Sequence, residues 1–240
     1  MSAPSVLIAG CGDVGSRLAT QLLSAGWEVH GLRRDVSRLP EGVIGVAGDL
    51  FNKDCPDTWP IGAVDYLVYC AAATDHDEAG YRAAYVQGLE HVLDWLNDYG
   101  QVPNRLLFVS SSSVYGQQEG EWVDETSPAV ASSYSGRVML EAEQVALKSG
   151  IPSSIVRLTG IYGPGREWLL TQVRRGYRVV TDPPPAGTPS ILRRRRRGYG
   201  WHTTADRLPR DTPVAPVSAA IRGPDHKYRS NARCWTGYRF

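Results

Sequence analysis

Val6-Leu7-Ile8-Ala9-Gly10-Cys11-Gly12-Asp13-Val14-Gly15-Ser16-Arg17-Leu18 is the stretch that decides the fold. Its four leading apolar residues read as a short strand buried on both faces. Gly10, Gly12 and Gly15 follow in G-x-G-x-x-G spacing, and Val14, Leu18 and Leu22 then recur as one helical stripe. Strand, glycine turn and helix in this order make the element that binds a dinucleotide pyrophosphate. Gly10 permits the tight turn, Gly12 leaves room for the backbone to reach the phosphates, and Gly15 lets helix and strand pack closely. Val14 belongs to the helix start, whose N–H groups and partial positive charge favour an anion. Asp13 reads first as a cap and second as a ligand contact, because a carboxylate beside a pyrophosphate is repelled unless it points away. The bland alternative is a glycine-rich turn between strand and helix that binds nothing.

Outward from this stretch, apolar runs near 5–10, 27–32, 43–47, 64–70, 105–110 and 153–158 predict strands. Helical patterns predict helices near 14–25, 79–99 and 134–149. In the second of these, Tyr81, Tyr85, Leu89, Val92 and Leu96 keep helical spacing, and Gly100 and Pro103 stop it. Such alternation predicts an α/β fold: a Rossmann-type, doubly wound parallel sheet whose ligands sit beyond the carboxyl ends of its strands.

The candidate binding residues fall at those ends. The second strand ends in Arg33-Arg34, where an acidic residue commonly receives a ribose 2′-OH. A guanidinium suits a 2′-phosphate instead, so the expected cofactor is NADP, with NAD as the alternative. Two solvated surface arginines are the competing explanation. The third strand ends in Gly48-Asp49-Leu50, where Asp49 can accept from an adenine amino group. The fourth ends in Cys70-Ala71-Ala72-Ala73, where Ala71 and Ala72 leave a flat surface for the cofactor, and Ser110 ends the fifth.

The chain has 240 residues and 42% hydrophobic content, enough for one α/β domain with a small extra lobe. No stretch is long and apolar enough to span a membrane, and no basic region precedes an apolar core at the start, so a cytoplasmic protein is expected. Cys11, Cys55, Cys70 and Cys234 lack metal spacing and read as reduced thiols, with no metal expected.

Leu106-Leu107-Phe108-Val109 leads into Ser110-Ser111-Ser112-Ser113-Val114-Tyr115-Gly116. With the glycine turn and Gly48-Asp49-Leu50, this resembles the extended short-chain dehydrogenase/reductase superfamily, whose sugar-nucleotide epimerases and dehydratases carry a similar S-S-x-x-V-Y-G. Arg157-Leu158-Thr159-Gly160-Ile161-Tyr162-Gly163-Pro164-Gly165 is similar to its R-x-x-x-x-Y-G-P-G segment. The resemblance covers residues 5 to about 180 and points to an atypical, NAD-dependent epimerase/dehydratase-like branch. It implies a serine, a tyrosine as general acid/base, and a lysine four residues after the tyrosine that lowers the phenol pKa. On that pattern the serine is Ser111 and the tyrosine Tyr134. The lysine position holds Val138, and Arg137, one residue back, is the nearest substitute cation. Glu141 could neutralise Arg137 in an ion pair. The competing reading makes Tyr134, Arg137 and Glu141 simply the start of a surface helix. The resemblance also implies a homodimer built by two long helices across a two-fold axis.

Near Asp182 the chain changes character. Residues 1–182 hold 14 Lys+Arg against 22 Asp+Glu, and residues 183–240 hold 12 against 3. The second part carries Pro183-Pro184-Pro185, an unbroken arginine run from Arg193 to Arg197, and no sustained periodicity. We therefore expect domain 1–182 to bind the dinucleotide, with a truncated substrate lobe. The 183–240 tail is expected to be disordered or the product of an altered reading frame. A basic arm for nucleic acid is the disfavoured rival.

Three functions follow as expectations. The first is an NAD(P)-dependent oxidoreductase or epimerase/dehydratase-like enzyme acting on a hydroxyl or carbonyl of a small substrate, a sugar-linked one among the candidates. The second is a cofactor-binding sensor without turnover, and the third is a Rossmann body with a nucleic-acid arm.

Overall fold

Alternating strand and helix patterns give one parallel sheet. The computed structural model describes residues 3–117, 123–159 and 217–218, with 121, 161 and 171 between them. Met1–Gln117, Val123–Thr159 and Val214–Ala219 form one compact unit, to which the description below applies. The Tyr162–Gly165 part of the glycine-proline segment lies outside the described residues. So does the 182/183 boundary and all of the tail except 217–218.

The strands are β1 (Ser5–Ala9), β2 (Glu28–Arg33), β3 (Ile44–Ala47), β4 (Tyr66–Tyr69), β5 (Arg105–Ser111), β6 (Ser153–Leu158) and β7 (Val217–Ser218). They pair in the order β3-β2-β1-β4-β5-β6-β7, every pair parallel. The order in which strands are added reverses at β1 and β4, and the crevice there is where a doubly wound sheet takes its ligand. The two-residue β7 lies within the 183–240 stretch, where Val217 and Ser218 pair with Val156 and Arg157.

The helices are α1 (Asp13–Ser24), α2 (Glu78–Arg82), α3 (Gly88–Asp98) and α4 (Tyr134–Lys148). Alternation along β1 sends Val6 and Ile8 to one face and Leu7 and Ala9 to the other, and both faces are covered. On α1's side, Ala19 and Leu22 pack with Val6, Ile8 and Val29. On the opposite side, Leu89, Val92 and Leu96 of α3 join Val138, Met139 and Ala142 of α4 on Leu7, Leu67, Leu106 and Phe108. The buried stripe of α1 is Gly15-Ala19-Leu22, not Val14-Leu18-Leu22, and Leu18 is only partly buried against it. The shift follows from Gly15, which brings the helix so close to β1 that its own face becomes the contact face.

The single helix expected over 79–99 departs from regularity in one place. Residues Ala83–Gln87 form a π turn between α2 and α3. Short 3₁₀ turns at Val36–Arg38 and Ser112–Val114 follow β2 and β5. At the opposite end of the sheet, Ser5 and Asp65 clasp reciprocally. The Ser5 backbone N–H and hydroxyl donate to Asp65 Oδ2 (2.8 and 3.0 Å), and the Asp65 N–H donates to Ser5 Oγ (3.0 Å).

Candidate functional site

The carboxyl ends of β1 to β5 carry the residues that could hold a ligand. The turn after β1 is drawn in by the β2 end: the Gly10 and Cys11 N–H groups both donate to Leu32 O (3.1 and 2.9 Å), and the Gly12 N–H donates to Gly10 O (2.7 Å). Gly10 has φ +84°, a conformation that side chains rarely adopt. A Cβ added there would fall 2.4 Å from Ala71 Cα and 2.5 Å from Ala71 N. A Cβ on Gly15 would lie 2.9 Å from Ile8 Cγ2 and 3.0 Å from Cys70 Sγ. Gly12 differs from both, because a Cβ there would meet nothing nearer than Gly10 O at 3.9 Å. No protein atom would crowd a side chain at Gly12, so the open side of the turn suits an external group. Val14 and Gly15 lie in the first turn of α1, where N–H groups lack intrahelical carbonyls.

Gly12, not Asp13, is the N-cap of α1, and no side chain caps it. This corrects the capping role expected of Asp13. Its carboxylate accepts from Arg17 Nε (2.8 Å) one turn along the helix, an arrangement that favours the helix dipole.

Burial fixes the protonation of two thiols under this turn. Cys70 Sγ donates to Gly10 O (3.3 Å), and burial pushes its pKa from 9.0 up to about 12. Burial also raises the Cys11 thiol. Neutral Cys70 is the form that fits the fold. Its contribution to stability is therefore complete below pH 9 and is lost as pH rises towards 12. Urea melts of the wild type and Cys70→Ala at pH 8 and pH 11 should show a larger alkaline loss in the wild type than in the variant, which keeps only the contribution of groups such as Cys11. Parallel losses would refute this.

At the end of β2, Arg33 is braced from both sides. Its guanidinium donates to Cys11 O (3.1 Å) and Arg38 O (3.3 Å). Arg34 is exposed and lies 4.0 Å from Asp49 Oδ2, while Asp49 Oδ1 accepts from the Phe51 N–H (3.1 Å). Asp35 Oδ1 accepts from Ser37, and these bonds hold its carboxyl below its ordinary pKa. Leu50 points into the core, and its carbonyl accepts from His91 Nδ1 (2.8 Å). Ala71 closes on Gly10, and Ala72 beside it is exposed.

The β5 end separates two neighbouring serines. Ser110 faces the α4 side and donates to Glu143 Oε1 (2.6 Å) in a buried setting. Ser111 ends the strand and accepts from the Ser113 N–H (3.2 Å), which leaves its own hydroxyl proton available to a ligand. α4 begins directly against this turn, since a Cβ on Gly136 would lie 2.1 Å from Ser113 O. Ser133 caps α4 by accepting from the Gly136 N–H (3.1 Å).

Tyr134 donates to His76 O (2.5 Å) and stands edge-on to Tyr81 at 5.7 Å between ring centres. Arg137 donates to Ser132 O (3.1 Å). Glu141 pairs with Arg82 rather than with Arg137. Val138 is fully buried in the core between α4 and the sheet. The serine turn thus abuts the first turn of α4 at Gly136, Tyr134 at the start of that helix reaches His76 and Tyr81, and the lysine position is buried in the core.

A family model described as the NAD dependent epimerase/dehydratase family matches residues 6–179. The chain belongs to this family. The Escherichia coli K12 protein YeeZ is 31% identical over 169 residues, covering 67% of this chain and 60% of YeeZ. Among solved structures, a Methylobacillus flagellatus protein assigned to the NAD-dependent epimerase/dehydratases is 39% identical. Its TM-score is 0.59, over 73% of this chain and 61% of that one. MoeE5, solved with UDP-glucose and NAD, is 26% identical with a TM-score of 0.59, over 72% of this chain and 60% of that one. The chain thus spans about 60% of the length of the relatives it matches.

This epimerase/dehydratase-family protein has a buried ion pair that the sequence reading did not anticipate. Arg157 of β6 holds Glu143 of α4 by two bonds, Nε to Oε1 (2.9 Å) and Nη2 to Oε2 (2.7 Å). Its Nη1 donates to the Tyr115 hydroxyl (3.1 Å), and the guanidinium lies over the Tyr115 ring at 5.1 Å. The bonds to Glu143, foremost, raise the Arg157 pKa further. Arg157 was visible only as the first residue of a motif, and nothing in sequence spacing links it to Glu143. Arg38, Tyr81 and His76 were likewise missed as site neighbours.

Val138→Lys, which restores the family's residue type, should destabilise the protein by about 3–5 kcal/mol, because an ammonium there must be stripped of water or deprotonated. Chemical denaturation measures this, and an unchanged midpoint would show that the position is open to solvent. Among the described residues, no group of three or more His, Cys, Asp or Glu could hold a metal, and no helix is long and apolar enough to cross a membrane.

Proposed function

We propose that this protein binds a nicotinamide dinucleotide, NADP in preference to NAD, and acts in epimerase/dehydratase-like fashion on a hydroxyl or carbonyl of a sugar-linked substrate. The observation that carries the reading is the contrast among the three glycines. Gly10 and Gly15 are required by the protein's own atoms, whereas Gly12 faces open space at the helix start. A diphosphate fits that space, with Val14 and Gly15 supplying the first-turn environment that favours it.

Arg33, held by two carbonyls, and exposed Arg34 support a 2′-phosphate at the β2 end. Asp49 is the candidate for the adenine amino group. Ala71 and Ala72 would floor the middle of the cofactor, with Leu50 acting through packing. Ser110 would support the site from below through Glu143. MoeE5, at 26% identity, was solved with UDP-glucose and NAD, which favours a nucleotide-sugar as substrate.

The bound nicotinamide would accept or donate a hydride. Ser111 would donate its free hydroxyl proton to the substrate oxygen, and Tyr134 would exchange the proton at that oxygen after leaving His76 O. Arg137 would supply positive charge at the same helix start.

Two observations favour the second reading, a cofactor-binding sensor without turnover. Val138 is core, and the Tyr134 proton is committed to a backbone carbonyl.

Calorimetry with NADPH, NADH and UDP-glucose on the wild type and Gly12→Ala tests these assignments. The wild type should bind NADPH at least tenfold more tightly than NADH, about one charge-assisted contact's worth. Gly12→Ala should cost only about 1–2 kcal/mol, the loss expected when alanine replaces a favourable N-cap, and lose nucleotide binding. Equal affinity for the two nucleotides would remove the 2′-phosphate assignment, and no heat with either would remove the whole reading. Hydride exchange between NADPH and nucleotide-sugars separates enzyme from sensor.

A further inference from the structure

The π turn at Ala83–Gln87 has a visible cause. In an α-helix the Gly88 N–H would donate to Ala84 O, but here it donates to Ala83 O, one residue further back. The released Ala84 carbonyl accepts instead from the hydroxyl of Tyr69, the last residue of β4 (2.5 Å). Gly88 makes room for this insertion, since a Cβ there would lie 2.5 Å from the Tyr69 oxygen. Tyr69 is fully buried and stacked on Phe108 at 5.8 Å, so the hydroxyl has no other place to go. A side chain that enters the helical ladder is an established cause of such a defect, and π turns recur at functional sites.

The defect sets what lies before it. Tyr81 of α2 stands edge-on to Tyr134, and its ring centre is 5.3 Å from that of Tyr85. The Tyr85 hydroxyl accepts from the Ala73 N–H (3.4 Å) in the loop after β4. Returning the π turn to α geometry would rotate α2 against α3 by about one residue, ~100°. Tyr81 would then leave Tyr134.

We propose that Tyr69 is a positioning residue. Its inserted hydroxyl holds the π turn, and the turn places Tyr81 beside Tyr134 as an aromatic wall for the nicotinamide end of a bound dinucleotide. This rests on the nucleotide-binding reading above. The wall lies at the β4 and β5 ends, while Arg33 lies at the β2 end. The two ends of the ligand can therefore be probed separately.

The test compares NADPH with 2′-phospho-ADP-ribose, which lacks the nicotinamide, on the wild type and Tyr69→Phe. Tyr69→Phe should keep the affinity for 2′-phospho-ADP-ribose, weaken NADPH by about tenfold, and reduce the emission of the bound nicotinamide. Gly88→Ala should act in the same direction by expelling the hydroxyl. Tyr69→Phe should rescue it, so the double variant melts above Gly88→Ala alone. Unchanged NADPH affinity and emission in Tyr69→Phe would overturn the proposal, as would equal losses for both ligands. A wild type that binds neither ligand overturns the nucleotide reading itself, whereas binding to the wild type with no effect of Tyr69→Phe overturns only the role of Tyr69.

Discussion

Arg157→Ala is expected to destabilise the protein by about 3–5 kcal/mol, because it leaves the Glu143 carboxylate buried with little beyond the Ser110 hydroxyl as a partner. The side chains of Arg157 and Glu143 are only 8% and 3% exposed, so solvent cannot replace the lost guanidinium. Two further contacts go with it, the bond to Tyr115 and the stacking over its ring. Tyr115 also donates to Asp124 O (2.8 Å), so loosening it reaches the chain that returns to α4. The pair as a whole is another matter. Replacing both members with methionine removes the desolvation of two charges along with their attraction, and such exchanges are often neutral or stabilising. Urea denaturation of both single variants and the double should give a strongly non-additive cycle. A small loss in Arg157→Ala would mean that water reaches Glu143.

The second large effect is Gly10→Ala, with an expected loss of about 3–5 kcal/mol from two sources. At φ +84° an alanine is strained wherever its methyl points. The methyl would also fall 2.4 Å from the Ala71 Cα, a backbone atom that cannot swing aside. Strand pairing fixes the two segments: Ala9 is in register with Tyr69, and the Cys70 N–H donates to Ala9 O (2.9 Å). Relief would require breaking the β1–β4 ladder. Gly10→Ala should therefore fail as a fold, while Gly12→Ala, two residues away, should fail only as a binding site. Thermal melts of the two variants side by side decide this, and equal stability would show that the turn can relax.

The sheet was legible because its signals are local. Val6–Ala9 and Leu106–Val109 are short apolar runs bounded by turns, and the observed strand ends lie within two residues of the expected ones. The site was less legible, because its arrangement depends on contacts across long stretches of chain. Ser110 and Ser111 are adjacent in sequence, yet the two-residue period of a strand sends one to Glu143 and the other to the strand end. Tyr81 and Tyr85 read as one helical stripe with Leu89. Their true spacing passes through a π turn caused by Tyr69, 15 residues earlier than Ala84, and periodicity has no means of registering an inserted hydroxyl. Arg137 and Glu141, one turn apart on α4, were natural partners by spacing. Tertiary packing gave Glu141 to Arg82 and Arg137 to a backbone carbonyl.

The Ser5–Asp65 clasp joins β1 and β4 at their amino ends, remote from the glycine turn and the serine turn. Alignment of the two central strands is thus secured from the rear. Loop residues at the front, such as the exposed Ala72 and Thr74, can then be exchanged for new recognition chemistry without unsettling the frame. The architecture separates the part that must stay constant from the part that can diversify.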